Sequence, residues 1–419
     1  MGAGSSKKES KLKDGPPDKD CLGLQNFGNT CYCNSVLQAL YHCNSFKERI
    51  IELHPLLEAK EERSLLRELC MLFFEMDSAA TKGRKHYIAP RRFMHVLQEE
   101  NEIFSGYMHQ DAHEFFMFLL NHISDELKQL DRVSGEGGEG EEKEGKKRKK
   151  KKKKRNSRKN ADDEEDGEDL EKSEATAISS GLMVETNTKT LVEEVFGGTL
   201  VAETCCLMCE TITTRKESFL DLSVDIESNT SIVGCLRSFS NKEKMEDKNK
   251  YLCDKCCCLT EAYRRMKVKE LPRILVLHMK RFKYSERLQR FTKLNYRVSF
   301  PHDLRLLNTS SDAVDPDRLY KLFAVVIHIG SELNHGHYIA VVKHNDKWHV
   351  YNDEVTRRVH EDSLSRYFGL VEEKHRTTEI GYMLYYEGAN NLSVDQRTAV
   401  SPLRLDKVQV SMMGDENHV

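Results

Sequence analysis

Five of the thirteen cysteines stand where their spacing or neighbours could support chemistry. Cys31 lies in GLQNFGNTCYCNSVLQALYHC, directly behind Asn29-Thr30, residue types that cap helices. An apolar stripe of Val36, Leu37, Leu40 and Tyr41 begins just after it. The pattern predicts Cys31 at a helix N-terminus, where the positive end of the dipole favours the thiolate, and the thiolate is the nucleophile. Gly23 and Gly28 permit tight turns ahead of that helix. Acyl transfer also needs donors aimed at the developing oxyanion, and the Cys31 backbone N–H and the Asn26 side chain are the candidates. A lone cysteine at a helix start reads more readily as an inert core thiol than as a nucleophile, so the chemistry depends on partners.

A cysteine nucleophile needs an imidazole and a third group that fixes its tautomer. Among 17 histidines, His337 is marked by context: it lies in NHGHYIAVVKH at the mouth of a predicted strand. Gly336 beside it would leave room for a substrate backbone. The next predicted strand, WHVY, follows the short turn KHNDK and ends at Asn352-Asp353. Antiparallel pairing of the two strands returns Asn352 and Asp353 to His337. Either could orient the ring, although an amide stabilises imidazolium less than a carboxylate does. His335 is a neighbouring alternative for the base.

The other four cysteines form two CxxC pairs, Cys206/Cys209 and Cys253/Cys256, with 43 residues between them. Two such knuckles in a reduced chain predict one structural zinc in a closed four-thiolate shell, with no open catalytic position. Cys205, Cys257 and Cys258 lie close enough in sequence to compete, and the shared x₂ spacing favours the first four.

These residues need positioning elements. From Cys21 to about Leu130 the pattern is largely helical, and Phe115, Phe116, Leu119 and Leu120 repeat the apolar stripe. From about Leu191 it turns β-like, with strands expected at 274–277, 323–327, 338–342, 348–351 and 382–386. Helices first and strands later predict an α+β domain over residues 21–388. Residues 1–20 and 389–419 read as tails. About residues 134–174, an acidic Gly-rich run, KKRKKKKKKR and then DDEEDGEDLEK follow one another, a charged insertion unable to build a core.

Hydrophobic residues make up 38% and charged residues 32%, with net charge −3, which gives no whole-chain reason to expect a nucleic-acid partner. The lysine run reads as a solvated loop, a nuclear address or a nucleic-acid patch. No apolar run approaches the ~18 residues of a membrane span, and the first residues carry no secretory signal. The expected compartment is cytoplasmic, with nuclear or membrane association as alternatives. MGAGSS fits a myristoylation motif at Gly2, followed by lysines that could support an acyl anchor.

The stretch GLQNFGNTCYCNSVLQAL resembles the cysteine box of the ubiquitin-specific proteases, and GHYIAVVKHNDKWHVYNDEV resembles their histidine box. Many members carry Met where this chain has Cys33. The resemblance implies a papain-like α+β cysteine protease with a helical thumb, a β palm and zinc-bearing β fingers at about residues 196–265. It makes Cys31 the nucleophile, Asn26 the oxyanion residue and His337 the base, with Asn352 and Asp353 beside it. SGYMHQDAHEFF is similar to the family's Gln-Gln-Asp-x-x-Glu segment, with His109 where the first Gln is usual, so Asp111 and Glu114 would hold ubiquitin's basic C-terminal tail. The implied partners are ubiquitin and ubiquitinated proteins. The short domain is most similar to the branch stimulated by WD40-repeat activators. The competing reading is a catalytically weak ubiquitin-binding scaffold.

Overall fold

The computed structural model describes residues 15–59, 62–83, 85–106, 108–135, 189–332, 335–370 and 379–389. Gly2 and its lysines, the residues of the charged insertion from 136 onward and the C-terminal tail beyond 389 lie outside the described residues.

The first half is a helical lobe. It holds β1 (Gly23–Leu24), α1 (Cys31–Tyr41), α2 (Asn44–Glu52), α3 (His54–Glu58), α4 (Leu65–Lys82), β2 (Tyr87–Ile88), α5 (Arg91–Glu100), α6 (Glu102–Ser105) and α7 (Ala112–Gly135). Every residue of α1 is buried, because it lies between this lobe and the sheet of the second half, packing on α7 on one side. That explains why its apolar stripe is broad.

The second half begins with α8 (Leu191–Phe196), β3 (Gly198–Cys206), β4 (Ile212–Phe219), β5 (Leu222–Val224), β6 (Thr230–Ser231), α9 (Ile232–Phe239), β7 (Glu243–Met245), β8 (Tyr251–Cys253), β9 (Cys258–Thr260) and β10 (Ala262–Glu270). It continues through β11 (Ile274–Met279), β12 (Phe282–Ser285), β13 (Arg290–Lys293), β14 (Val298–Ser299), β15 (Asp303–Leu304), β16 (Tyr320–Ile329), β17 (His337–His344), β18 (Lys347–Asn352), β19 (Val355–Val359) and β20 (Ile380–Gly388). All five expected strands are present, each longer than its apolar run. The helices α8 and α9 interrupt what read as uniformly β-like sequence. Thr190 and Glu193 form a reciprocal capping box at the start of α8, a local signal strong enough to override the surrounding pattern.

The central sheet runs β19-β18-β17-β16-β20-β11-β5, with β15 on β16. Alternate residues face two cores. Ala324, Val326, Ala340 and Val342 pack toward the helical lobe. Val325, Ile327, Ile339 and Val341 pack on the opposite face, in a core shared with α9 residues Ile232, Cys235 and Leu236. A sheet buried on both faces needs apolar residues in succession, which is why FAVVI and YIAVV lack alternation. A second sheet, β4-β3-β10-β7, with the hairpin β8-β9, forms an extension carrying both CxxC pairs.

Residues 15–20, read as part of a tail, lie against the palm edge. Gly15 pairs with Arg358, Asp18 with Lys347, and Asp20 with His344. Two acidic side chains meeting a lysine and a histidine over 300 residues away left no local pattern to read.

Candidate active site

The sequence places Cys31 at the first position of α1, as expected, but its capping differs. Thr30 does not cap the helix through its side chain. Its hydroxyl accepts the Phe27 N–H (3.0 Å) and donates to Asn26 Oδ1 (3.2 Å). Asn26 Oδ1 also accepts the N–H groups of Gly28 (2.8 Å) and Thr30 (3.2 Å). The residues before the helix therefore fold around the Asn26 amide, fixing the proposed oxyanion donor rather than the helix end.

The other half of that amide is fixed from across the molecule. Asn26 Nδ2 donates to Asp353 Oδ2 at 2.8 Å, and Asn34 Nδ2 donates to Asp353 Oδ1 at 2.8 Å. The Leu24 N–H bonds the Asp353 carbonyl and the Asn26 N–H bonds Glu354 Oε1, both at 2.9 Å. Gly23 sits so close to this turn that a Cβ would lie 2.5 Å from the carbonyl oxygens of Asp353 and Glu354. Its role is close approach of backbone rather than a turn. Asn26 keeps one further N–H for a substrate oxygen.

Pairing of β17 with β18 (Ala340 opposite Tyr351) brings Asn352 back to His337, as the hairpin reading required. His337 Nε2 lies 2.6 Å from Asn352 Oδ1 and 3.9 Å from Asp353 Oδ2. Of the two candidate orienters, Asn352 is the one in contact with the ring, while Asp353 contacts Asn26. Because an amide oxygen only accepts, this contact selects the tautomer with the proton on Nε2, in which Nδ1 bears the lone pair. His335 is well exposed and pairs with Glu332. The space beside Gly336 is filled by His328, whose Nε2 would lie 2.4 Å from an added Cβ. This glycine accommodates a buried histidine, not substrate as expected.

Cys31 is 1% exposed, and the Tyr338 N–H donates to its sulfur at 3.4 Å. Among the described residues no hydrogen bond joins that sulfur to His337. Burial pushes the thiol up to about 11, only partly offset by the Tyr338 amide, and the Asp353 charge adds to the rise. The helix start was expected to favour the thiolate. A helix terminus contributes about 0.3–1 kcal/mol, whereas two pKa units correspond to roughly 3 kcal/mol, so desolvation wins. For the chain alone, alkylation of Cys31 by iodoacetamide, followed on its own peptide by mass spectrometry, is expected to climb about tenfold per pH unit from neutrality and to level off only near pH 11. A plateau below pH 9 would contradict this.

An open groove of about 340 Å³ is lined by Asp111, His113, Glu114, His278, Lys280, Phe282 and Tyr382. Tyr338, the neighbour of Cys31, packs against Tyr382, so the groove leads toward the thiol. Glu114 is exposed there. Asp111 is largely committed elsewhere. Its Oδ1 accepts the N–H groups of His113 (2.7 Å) and Glu114 (3.1 Å), capping α7, and its Oδ2 accepts the Tyr382 hydroxyl. His109 is buried and stacks on Tyr338. Sequence reasoning missed Asn34 and Tyr382, which fix Asp353 and Asp111, and the His113–Asp221 pair at 3.0 Å.

In the extension, the sulfurs of Cys206, Cys209, Cys253 and Cys256 all lie within 4.8 Å of one another and could hold a metal ion. The recorded separations are 3.6 Å (Cys209 to Cys253) and 3.9 Å (Cys206 to Cys256). A tetrahedral shell with bonds of ~2.3 Å requires about 3.8 Å, which these two separations match. The Thr260 hydroxyl beside Cys206 helps hold its thiol below the ordinary range. Cys257 and Cys258 are exposed and stand outside the group, as does Cys205.

The family model described as ubiquitin carboxyl-terminal hydrolase matches residues 22–386. The chain is 45% identical to "Ubiquitin carboxyl-terminal hydrolase 12" of Salmo salar over 92% of this chain and 95% of that protein. It is 43% identical to "Ubiquitin carboxyl-terminal hydrolase 4" of Arabidopsis thaliana over 92% of this chain and 99% of that one. Among solved structures it resembles a SAGA Ubp8/Sgf11/Sus1/Sgf73 DUB module bound to ubiquitin aldehyde, with TM-score 0.63, 23% identity, and coverage of 89% of this chain and 71% of that one. A structure of that module bound to monoubiquitin gives TM-score 0.64 at 23% identity, covering 91% of this chain and 72% of that one. The α+β fold and the match along nearly the whole described core place the chain in the ubiquitin carboxyl-terminal hydrolase family, as a cysteine-type deubiquitinating hydrolase of the ubiquitin-specific protease kind.

Proposed function

We propose that Cys31 attacks the carbonyl of ubiquitin's terminal glycine and that His337 Nδ1 takes the thiol proton as the attack begins. The single observation that carries this reading is the pair of separate clamps at the site: Asn352 on the His337 ring and Asp353 on the Asn26 amide. His337 then returns its proton to the leaving lysine amine. The acyl-enzyme is hydrolysed when His337 draws a proton from water. Asn26 and the Cys31 backbone N–H stabilise the oxyanion in both steps. Glu114, with whatever capacity Asp111 retains, draws the arginines of ubiquitin's tail into the groove. The intact set of Cys31, His337 and Asn26 weighs against the scaffold reading.

Among the described residues the Cys31 sulfur takes the Tyr338 amide and makes no hydrogen bond to His337, which supports dependence on an activator. The extension exposes Leu207, Met208, Ile212, Leu252 and Leu259 around the CxxC knuckles, an apolar tip suited to a WD40-repeat protein. Ubiquitin-conjugate hydrolysis measured with and without a WD40 partner tests this. The expected result is a rise in kcat on addition, and full activity of the chain alone with no response would overturn it.

Zinc is the ion we assign to the four cysteines, since an all-thiolate tetrahedral shell suits it. About one zinc per chain is expected by metal analysis. Cys206→Ser should lower the unfolding midpoint by several degrees, because the ion links β3 to the β8-β9 hairpin. Zinc-free protein of unchanged stability would refute it. We also propose cytoplasmic residence, with a lipid at Gly2 on the strength of the MGAGSS motif.

A further inference from the structure

A cavity of about 490 Å³ opens on the helical lobe between the N-terminal ends of α4 and α5. Four guanidinium groups line it, those of Arg63, Arg67, Arg91 and Arg92, and Glu68 is its one carboxylate among the described lining residues. Arg67 pairs with Glu68 at 2.7 Å, so the wall carries an excess of positive charge from the other three. Arg63, Arg91 and Arg92 are exposed at the mouth. The placement is electrostatically unfavourable without a counter-charge. Arg91 and Arg92 open α5, which has no side-chain cap and no acidic residue in its first turn. Cations there oppose the helix dipole.

Glu68 supplies a second, independent sign. It is 3% exposed, and its Oε2 is buried with no hydrogen-bond partner. A buried acceptor left unpaired calls for a donor. A ligand that satisfies both features carries several anionic groups for the guanidinium forks and a hydroxyl for Glu68.

We infer that this cavity binds a compact polyol bearing several phosphates. The volume lies inside the ~300–1,000 Å³ range of small-ligand sites. The site is also joined to the oxyanion loop. β2 leads into α5 and pairs with β1, the Gln25 N–H bonds the Ile88 carbonyl at 2.8 Å, and the Arg91 guanidinium stacks 4.9 Å from the Phe27 ring centroid. Phe27 is the residue after Asn26, so a ligand that engages Arg91 touches the segment that fixes the oxyanion donor.

The test titrates the whole protein with soluble inositol tetrakisphosphate by calorimetry. A parallel arm sediments it with phosphatidylcholine vesicles containing phosphatidylinositol bisphosphate, which separates a free phosphate ligand from a lipid headgroup. Binding in either arm that weakens at least about tenfold in Arg63→Ala/Arg92→Ala supports the site. Should the double variant melt early, Arg92→Glu alone, at an exposed position, carries the same comparison. Absence of binding in both arms overturns the inference. So does binding that survives these variants but disappears when residues 146–159 are deleted, because the lysine run would then be the ligand's partner.

Discussion

Cys31→Ala is expected to bring ubiquitin-conjugate hydrolysis down by about 10⁴-fold or more, to the background of the assay. The substitution removes one sulfur from a site where backbone amides, chiefly that of Tyr338, face it. The fold and the groove of Glu114, Phe282 and Tyr382 are left intact, so ubiquitin binding should survive with little change. Turnover on a fluorogenic ubiquitin substrate, read beside ubiquitin affinity and the melting midpoint, separates loss of chemistry from loss of structure. Retained turnover would remove Cys31 from the mechanism.

Asp353→Ala carries the second large effect, expected to lower kcat by about 10²–10³-fold, the range for losing an oxyanion donor. The carboxylate holds two amides from different places in the chain, Asn26 and Asn34. Without it Asn26 is fixed only through its oxygen, and its N–H groups lose their aim. Asn352→Ala should cost less, about tenfold to a hundredfold, because the His337 ring keeps its place at the mouth of β17 and Asp353 stands 3.9 Å from Nε2 to receive it. The order of the two defects is the informative quantity. If Asn352→Ala proved the more damaging by a wide margin, the division of labour between the two neighbours would be wrong. A rise in KM with kcat preserved in Asp353→Ala would also count against it, since that pattern marks uniform binding rather than transition-state stabilisation.

The parts of the site carried by local spacing were legible in the sequence. A cysteine before an apolar stripe, a histidine opening a strand, a short turn and an Asn-Asp pair ending the next strand mark the residues we propose as nucleophile, base and its neighbours. Two equal CxxC knuckles single out four of the eight cysteines between residues 205 and 258. The strands were legible from their β-branched runs, although the burial of both sheet faces removed the alternation that would have shown which residues face α1.

What the sequence hid depends on contacts between distant segments or on depth. Nothing near Asn34 indicates that it reaches Asp353, 319 positions away. Thr30 has the composition of a helix cap, yet the Asn26 turn offers its hydroxyl better partners, and competition of that kind is decided in three dimensions. The expected thiolate failed for the same reason. The dipole is a property of the helix and can be read locally, whereas the burial that outweighs it comes from α7 and β17 closing over α1. Asp111 and Glu114 look alike in sequence, but the first is drawn into capping α7 and holding Tyr382 while the second faces the groove.

The central claim is that Cys31 is the attacking thiol, and ubiquitin carrying a C-terminal electrophile tests it most directly. After incubation of the whole protein with a WD40 activator, peptide mass spectrometry should find the probe on Cys31, the adduct should be absent in Cys31→Ala, and it should form faster with the activator than without. An activated complex that forms no adduct at Cys31, or one that labels Cys31→Ala as readily as the natural chain, would contradict the account.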